Sequence, residues 1–155
     1  MKRRDFLGAG AASLAVISAS AASADDNPAH QKDATHEDCL KACTHCATTC
    51  DATFHHCYRM VAEGKREHAK PLHLLSDCAG FCSLSASMIA KHSPLMAYSC
   101  DACADACRIT ATEIEKFSEP EMKAAAKALR DCEASCTAMV KMMKDHEGHH
   151  ESPAK

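Results

Sequence analysis

Twelve cysteines stand in a chain of 155 residues, and ten of them form five Cys-x-x-x-Cys pairs: Cys39/Cys43, Cys46/Cys50, Cys78/Cys82, Cys103/Cys107 and Cys132/Cys136. A spacing of four puts both thiols on one face of an α-helix, one turn apart. At about 100° per residue, Cys39, Cys43, Cys46, Cys50 and Cys57 all fall within a sector of about 60°. That is the narrow seam of a helix facing inward. Cys78 and Cys82 share a stripe with Leu74, Leu75, Ser85 and Ile89, while Cys100, Cys103 and Cys107 share one with Met96 and Ile114. Cys132 and Cys136 line up with Met122, Leu129 and Met143. Four such helices converging on one axis would carry thiols where a bundle ordinarily carries Leu and Ile.

The composition has the matching gap. Leu, Ile, Val and Phe total twenty residues, about 13% of the chain. At that share a chain ordinarily cannot bury enough aliphatic surface to offset its conformational entropy. Twelve Cys and eight Met supply the missing interior. With no Trp, 4% aromatics, five Gly and five Pro, neither a β-sandwich nor a loop-rich disulfide knot fits, and an all-α chain does. The net charge of −3 comes from 18 basic and 21 acidic residues interspersed along the chain. This leaves no electrostatic footprint for nucleic acid or for an anionic membrane surface.

The first residues read as an address. Lys2-Arg3-Arg4-Asp5-Phe6-Leu7 precedes a mild apolar stretch from Gly8 to Ala19, then Ala22-Ser23-Ala24 in the form of a cleavage site. The pattern resembles the twin-arginine export signal of bacteria. The apolar stretch is too short and too rich in Ala, Gly and Ser to span a membrane. Residues 1–24 are therefore expected to be a signal peptide, and the mature chain, residues 25–155, to be periplasmic with no membrane insertion. The resemblance implies export of an already folded protein, so thiols could be packed away before meeting an oxidising compartment.

Residues 25–35 and the His-rich tail 145–155, which holds His146, His149 and His150, are polar and aperiodic, and both are expected to be flexible. Between them, 36–144 divides into helices over 36–63, 70–92, 94–117 and 119–144. Pro71, Pro94 and Pro120 sit where a first helical turn tolerates proline, Ser93 and Ser118 are candidate N-caps, Ser118 with Glu121 matches a capping box, and Gly64 suits a helix C-terminus. Short connections favour an antiparallel, up-down-up-down four-helix bundle with a Cys-lined core. That topology gathers His36, Cys39, Met88, His92, Met96, Met139 and Met143 at one end, a soft-ligand mouth. The other end gathers Leu72, Leu74, Leu75, Ile114, Phe117, Met122 and Leu129, an apolar plug.

Residues four apart on a helix have Cβ atoms about 5–6 Å apart, whereas a disulfide wants about 3.5–4.5 Å. Two sulfurs each about 2.3 Å from a shared metal span that gap. A helical Cys-x-x-x-Cys is thus shaped as a two-thiolate clamp, although disulfides between helices remain geometrically open. Charge separates the metals. Three tetrahedral Zn2+ ions on twelve thiolates would leave six buried negative charges, at several kcal/mol per unpaired ion. One Cu(I) per thiolate leaves none, and Cu(I) suits soft thiolate and thioether ligands. Ferredoxin spacings are missing. Neither Cys43-Thr44-His45-Cys46 nor Cys100-Asp101-Ala102-Cys103 is followed by the His of a haem attachment site, and neither has the strand-helix context of a redox dithiol. Glu147-x-x-His150 matches a carboxylate-bundle iron motif only superficially.

The export signal, the four-helix pattern and a Cys-x-x-x-Cys on every helix resemble the bacterial Cys-rich four-helix-bundle copper storage proteins, in their exported branch. The resemblance covers about residues 36–144. It implies many Cu(I) ions bound along the core and bundles assembled into a homotetramer. It further implies the five pairs as clamps, Cys57 and Cys100 as additional thiolate ligands, and His36, Met88, His92, Met96, Met139 and Met143 as soft donors at the mouth. Cys57 has no thiol partner at its level on the third or fourth helix. A copper donor or acceptor protein would be a partner. The expected function is therefore copper storage rather than catalysis. Two other readings are a disulfide-stapled structural or interaction bundle and an exported thiol oxidoreductase.

Overall fold

Proline and glycine punctuate the chain into its helices. The computed structural model describes residues 28–147, with side-chain surroundings for 35–145. The expected signal peptide and the tail from 148, with His149 and His150, lie outside the described residues. Four helices follow in order: α1 Pro28–Ala62, α2 Ala69–Ala90, α3 Met96–Ile114 and α4 Pro120–Glu147, with a short 3-10 turn, Arg66–His68, leading into α2. There is no strand among the described residues, and the all-α four-helix bundle read from the sequence is the observed architecture.

The helix ends show which local signals decide. α1 closes at Gly64, whose φ of 92° lets its N–H reach Val61 O at 3.0 Å while Lys65 N–H reaches Met60 O at 2.9 Å. This paired closure, a left-handed cap, leaves few orphan carbonyls. α2 ends with the same closure, without a glycine. His92 takes φ 48°, its N–H bonds Ile89 O at 2.9 Å, and Ser93 N–H bonds Met88 O at 3.0 Å. A side chain in the left-handed region costs about 1–2 kcal/mol, although His is among the residues that tolerate it.

Proline placement shifts two starts. Pro94 lies in a turn rather than in α3: Ser93 Oγ accepts from Leu95 N–H at 3.2 Å and Ser93 O from Met96 N–H at 3.1 Å, so α3 begins two residues after the expected 94. Pro120 is the first residue of α4, the position its fixed φ favours. Glu119, not Ser118, therefore occupies the capping position, its carbonyl accepting from Lys123 N–H at 3.0 Å. The capping box expected from Ser118 and Glu121 is out of register with this start by one residue. α1 starts at Pro28 and α4 runs to Glu147, longer than the expected 36–63 and 119–144. Ala29, Gln31, Lys32 and Ala34 are good helix formers with no breaker among them.

Around the bundle α1 packs on α2 and α4, and α3 packs on α2 and α4, while the diagonal pairs stand apart. Arg130 of α4 clasps Glu115 at the end of α3 through two bonds of 2.8 Å. The stretch Arg66–Ala90 is long and apolar enough to cross a membrane by length and composition, a property owed in part to Cys78 and Cys82, which are buried in the bundle.

The interior divides along its length. Toward the α1 N-terminus it is filled by thiols with Ile89, Met96 and Met139. Toward the 3-10 turn it is filled by Leu75, Ile114, Met122 and Leu129, all fully buried, with Ala111, Ala125, Thr53 and Thr110 between. Phe117 and Leu72 pack half-buried on that end, and Leu74 is only partly covered.

Candidate metal centre

The thiol seams of the four helices meet. All twelve cysteines are free and have no exposed surface. Although the backbones of α1 and α3 do not touch, their sulfurs do, Cys46 lying 3.9 Å from Cys107. Four overlapping clusters stack along the axis, with ligating atoms in each within 4.8 Å of one another. From the mouth inward they are Cys39/Cys100/Cys136, then Cys43/Cys103/Cys132/Cys136, then Cys82/Cys103/Cys107/Cys132, then Cys46/Cys78/Cys82/Cys107. Cys50 joins the last through its interactions with Cys46 and Cys78. Eleven of the twelve thiols form one connected column.

The contacts within it run from 3.4 Å, between Cys43 and Cys136, to 4.0 Å, between Cys78 and Cys82 or Cys103 and Cys132. With metal–thiolate bonds of about 2.3 Å, such separations correspond to S–metal–S angles of about 95–120°. That is the range of three- and four-coordinate thiolate clusters with shared ligands; a linear two-coordinate ion needs its sulfurs about 4.6 Å apart. A disulfide needs sulfurs at about 2.05 Å.

The column shares protons. Hydrogen bonds from its neighbours, Cys107 foremost, hold the Cys103 thiol down to about 2. Cys39, Cys78 and Cys132 are drawn down in the same way, chiefly by Cys100, Cys107 and Cys103 respectively. Their partners move oppositely. Cys103 is the main cause for Cys43, Cys82 and Cys107, Cys100 for Cys136 and Cys46 for Cys50, and burial pushes each of them further up. At Cys100 the bond with Cys136 pulls down, but Cys39 and burial outweigh it and the thiol stands at about 12. Adjacent buried sulfurs cannot all ionise without a cation between them, so the column is chemically ready to exchange protons for a soft metal.

Cys57 is apart. Its Sγ donates to the Met122 thioether at 3.8 Å, and burial, with the charge of Glu119, pushes its thiol up to about 11. This is the isolation its position in the sequence predicts. Ser85 is a residue whose role the sequence reading missed. It sits one helical turn beyond Cys82 toward the mouth, fully buried, with its Oγ unpartnered. There α2 supplies a hydroxyl where the other three helices supply Cys39, Cys100 and Cys136.

Of the residues that the topology gathers at the α1 N-terminal end, His36 and His92 meet. The His36 and His92 rings lie 5.4 Å apart between centroids, held there by the left-handed backbone at His92. Both line a groove with Glu37, Leu40 and Ile89. Met96 and Met139 are buried in the core, and Met88 and Met143 pack half-buried on it.

A model of the copper storage protein family matches residues 30–141. The chain belongs to the copper storage protein family. Among its relatives is the uncharacterized cysteine-rich protein YhjQ of Bacillus subtilis, 34% identical over 103 residues that span 66% of this chain and 86% of the relative. Apo copper storage protein 3 of Bacillus subtilis is 30% identical with a TM-score of 0.57, over 67% of this chain and 97% of the other. Its Cu(I)-bound form is 28% identical with a TM-score of 0.51, over 74% and 99%. A crystal structure of a Nitrosospira multiformis protein has a TM-score of 0.64 at 27% identity, over 71% and 98%. In this member of the copper storage family the cysteine clusters fill the core of a four-helix bundle, as a store of copper requires.

Proposed function

We propose that this chain is an exported Cu(I) store that holds about one ion per thiolate along its axis, taken up through the Met/His mouth. The observation that carries the reading is the connected column of eleven buried thiols, nine of them linked by contacts of 3.4–4.0 Å. One Cu(I) per thiolate neutralises the column, whereas divalent ions each held by four thiolates would leave buried charge uncompensated. The Cu(I)-bound relative from Bacillus subtilis supports the choice of metal. His36, His92, Met88, Met96, Met139 and Met143 would pass the ion inward, thioethers and imidazoles holding Cu(I) more weakly than thiolates do. The role is binding rather than catalysis. Residues 1–24 would direct the folded protein to the periplasm by the twin-arginine route, and bundles would assemble as a homotetramer that exchanges copper with a donor or acceptor protein. The test is anaerobic Cu(I) titration of the reduced protein against a strong Cu(I) chelator. Saturation near the number of cysteines supports storage, and saturation at one or two equivalents overturns it.

A further inference from the structure

At the end opposite the mouth, three residues the thiol column does not use come together. His56 of α1, His68 of the 3-10 turn and Glu119 at the start of α4 each bring a ligating atom within 4.8 Å of the other two. His68 is 1% exposed, wedged against Phe117 with ring centroids 4.7 Å apart and edge-on to His56 at 6.0 Å. Its Nε2 lies 3.2 Å from Glu119 Oε1. The His68 Nδ1 and the His56 Nε2 are buried with no hydrogen-bond partner, Glu67 at 4.0 Å from Nδ1 being too distant for one. Buried imidazole nitrogens are normally satisfied, and the orphan His56 Nε2, in one cluster with the His68 Nε2 and a carboxylate, asks for a shared partner; the His68 Nδ1 lies on the Glu67 side of its ring.

We propose that His56, His68 and Glu119 form a separate site for a borderline divalent metal ion of the Zn2+ type. Two imidazoles and one carboxylate suit such ions, and soft Cu(I) prefers the thiolates. The 3.2 Å between His68 Nε2 and Glu119 Oε1 is close to the separation of about 3.3–3.4 Å between ligands of a tetrahedral ion with bonds of about 2.0–2.1 Å. Glu119 keeps a third of its side chain exposed, so the site is reachable from solvent, and three protein ligands leave a position for water. The ion ties together α1, the turn that follows it and the first turn of α4. The bundle then partitions metals by softness, Cu(I) on the axis and a divalent ion at the closed end.

The test uses Co2+ as a spectroscopic stand-in for Zn2+, added to reduced, Cu(I)-loaded protein. Copper loading is read first, so failure of the storage reading shows before cobalt is added. The expected result is one retained Co2+ with ligand-field bands of nitrogen and oxygen coordination and no thiolate-to-cobalt charge-transfer band, displaced by Zn2+. Glu119→Gln and His56→Ala each weaken it at least tenfold and leave Cu(I) capacity unchanged. Because Glu119 is partly exposed, its Gln variant preserves the fold, which far-UV circular dichroism verifies. Three results overturn the proposal: no Co2+ retained by the wild type, a thiolate charge-transfer band, or retention that survives Glu119→Gln and His56→Ala, as binding by His146, His149 and His150 or by His36 and His92 would.

Discussion

The thiol-lined and aliphatic lengths of the bundle are built from the same four helices and buried to the same degree, yet they hold different material. On α1 the change comes between Cys50 and Thr53; beyond it the axis is closed by Leu75, Ile114, Met122 and Leu129. Full burial of a Leu or Ile side chain is worth about 1.5–3 kcal/mol. A thiol is smaller, and a column of thiols that disputes its protons adds less. The aliphatic end therefore anchors the empty protein, while the thiol end draws its stability from what it binds. Folding and capacity are separable along one axis.

The largest test of that separation is loading itself. Each ion bound only by the folded state adds about 2.7 kcal/mol when free metal stands at 100 times its Kd, and each kcal/mol moves Tm by about 2–8 °C in chains of this size range. Several ions should raise the melting temperature by tens of degrees in calorimetry. A loaded protein that melts within a few degrees of the empty one breaks the comparison.

Next are paired truncations. Leu129→Ala should cost the empty protein about 2–5 kcal/mol in denaturant unfolding without changing copper capacity. Cys103→Ala, at a thiol shared by two clusters, should lower capacity by at least one ion at a cost of about 1 kcal/mol in the empty state. Equal effects on both measurements would show that the two lengths are not separate.

Cys57, the thiol in the aliphatic end, offers a sharper probe. Its folded value of about 11 lies above the reference of 9.0, so the folded state keeps the proton. The stabilisation is complete below pH 9 and is lost as pH rises through 11. On the order of 1–2 kcal/mol should vanish across that window, and Cys57→Ala should remove the Cys57 component of the slope in apoprotein unfolding followed against pH. A wild-type slope matched by the variant would assign the effect to the column instead.

The smallest effect is expected at the mouth. His92→Gly should relieve the left-handed backbone and change stability by less than about 1 kcal/mol. It should also slow Cu(I) uptake in stopped-flow mixing without altering capacity. Unchanged uptake would remove His92 from the proposed path.

Much of this was legible in the sequence because helical periodicity is a local property. Five cysteines in one sector of α1 can face only one way once that segment is a helix, and the other seams follow by the same arithmetic. Gly64 announced its cap because glycine is the usual occupant of a left-handed position. His92 makes the same closure without that signal, so the residue that leans toward His36 was visible only as a member of an end, not as a strained one. Ser118 looked like a cap, but Pro120 set the start of α4 and gave the position to Glu119. The grouping of His56, His68 and Glu119 joins three segments through a 3-10 turn too short to show periodicity, and nothing local in the chain foretells it. Ser85 was on the predicted stripe, but its meaning depends on what the other helices place at its level.

The inward direction of every thiol bears on how a neighbour could sense fullness. On the proposed one-for-one exchange, each Cu(I) that enters releases one proton, so the molecule's net charge is the same empty or full. All the cysteine sulfurs are buried, and the outer skin is composed of other residues. A partner inspecting that skin from the side would meet the same surface at every filling level. On the proposed path through the His36 and His92 end, that end is where the content of the vessel would be read from outside.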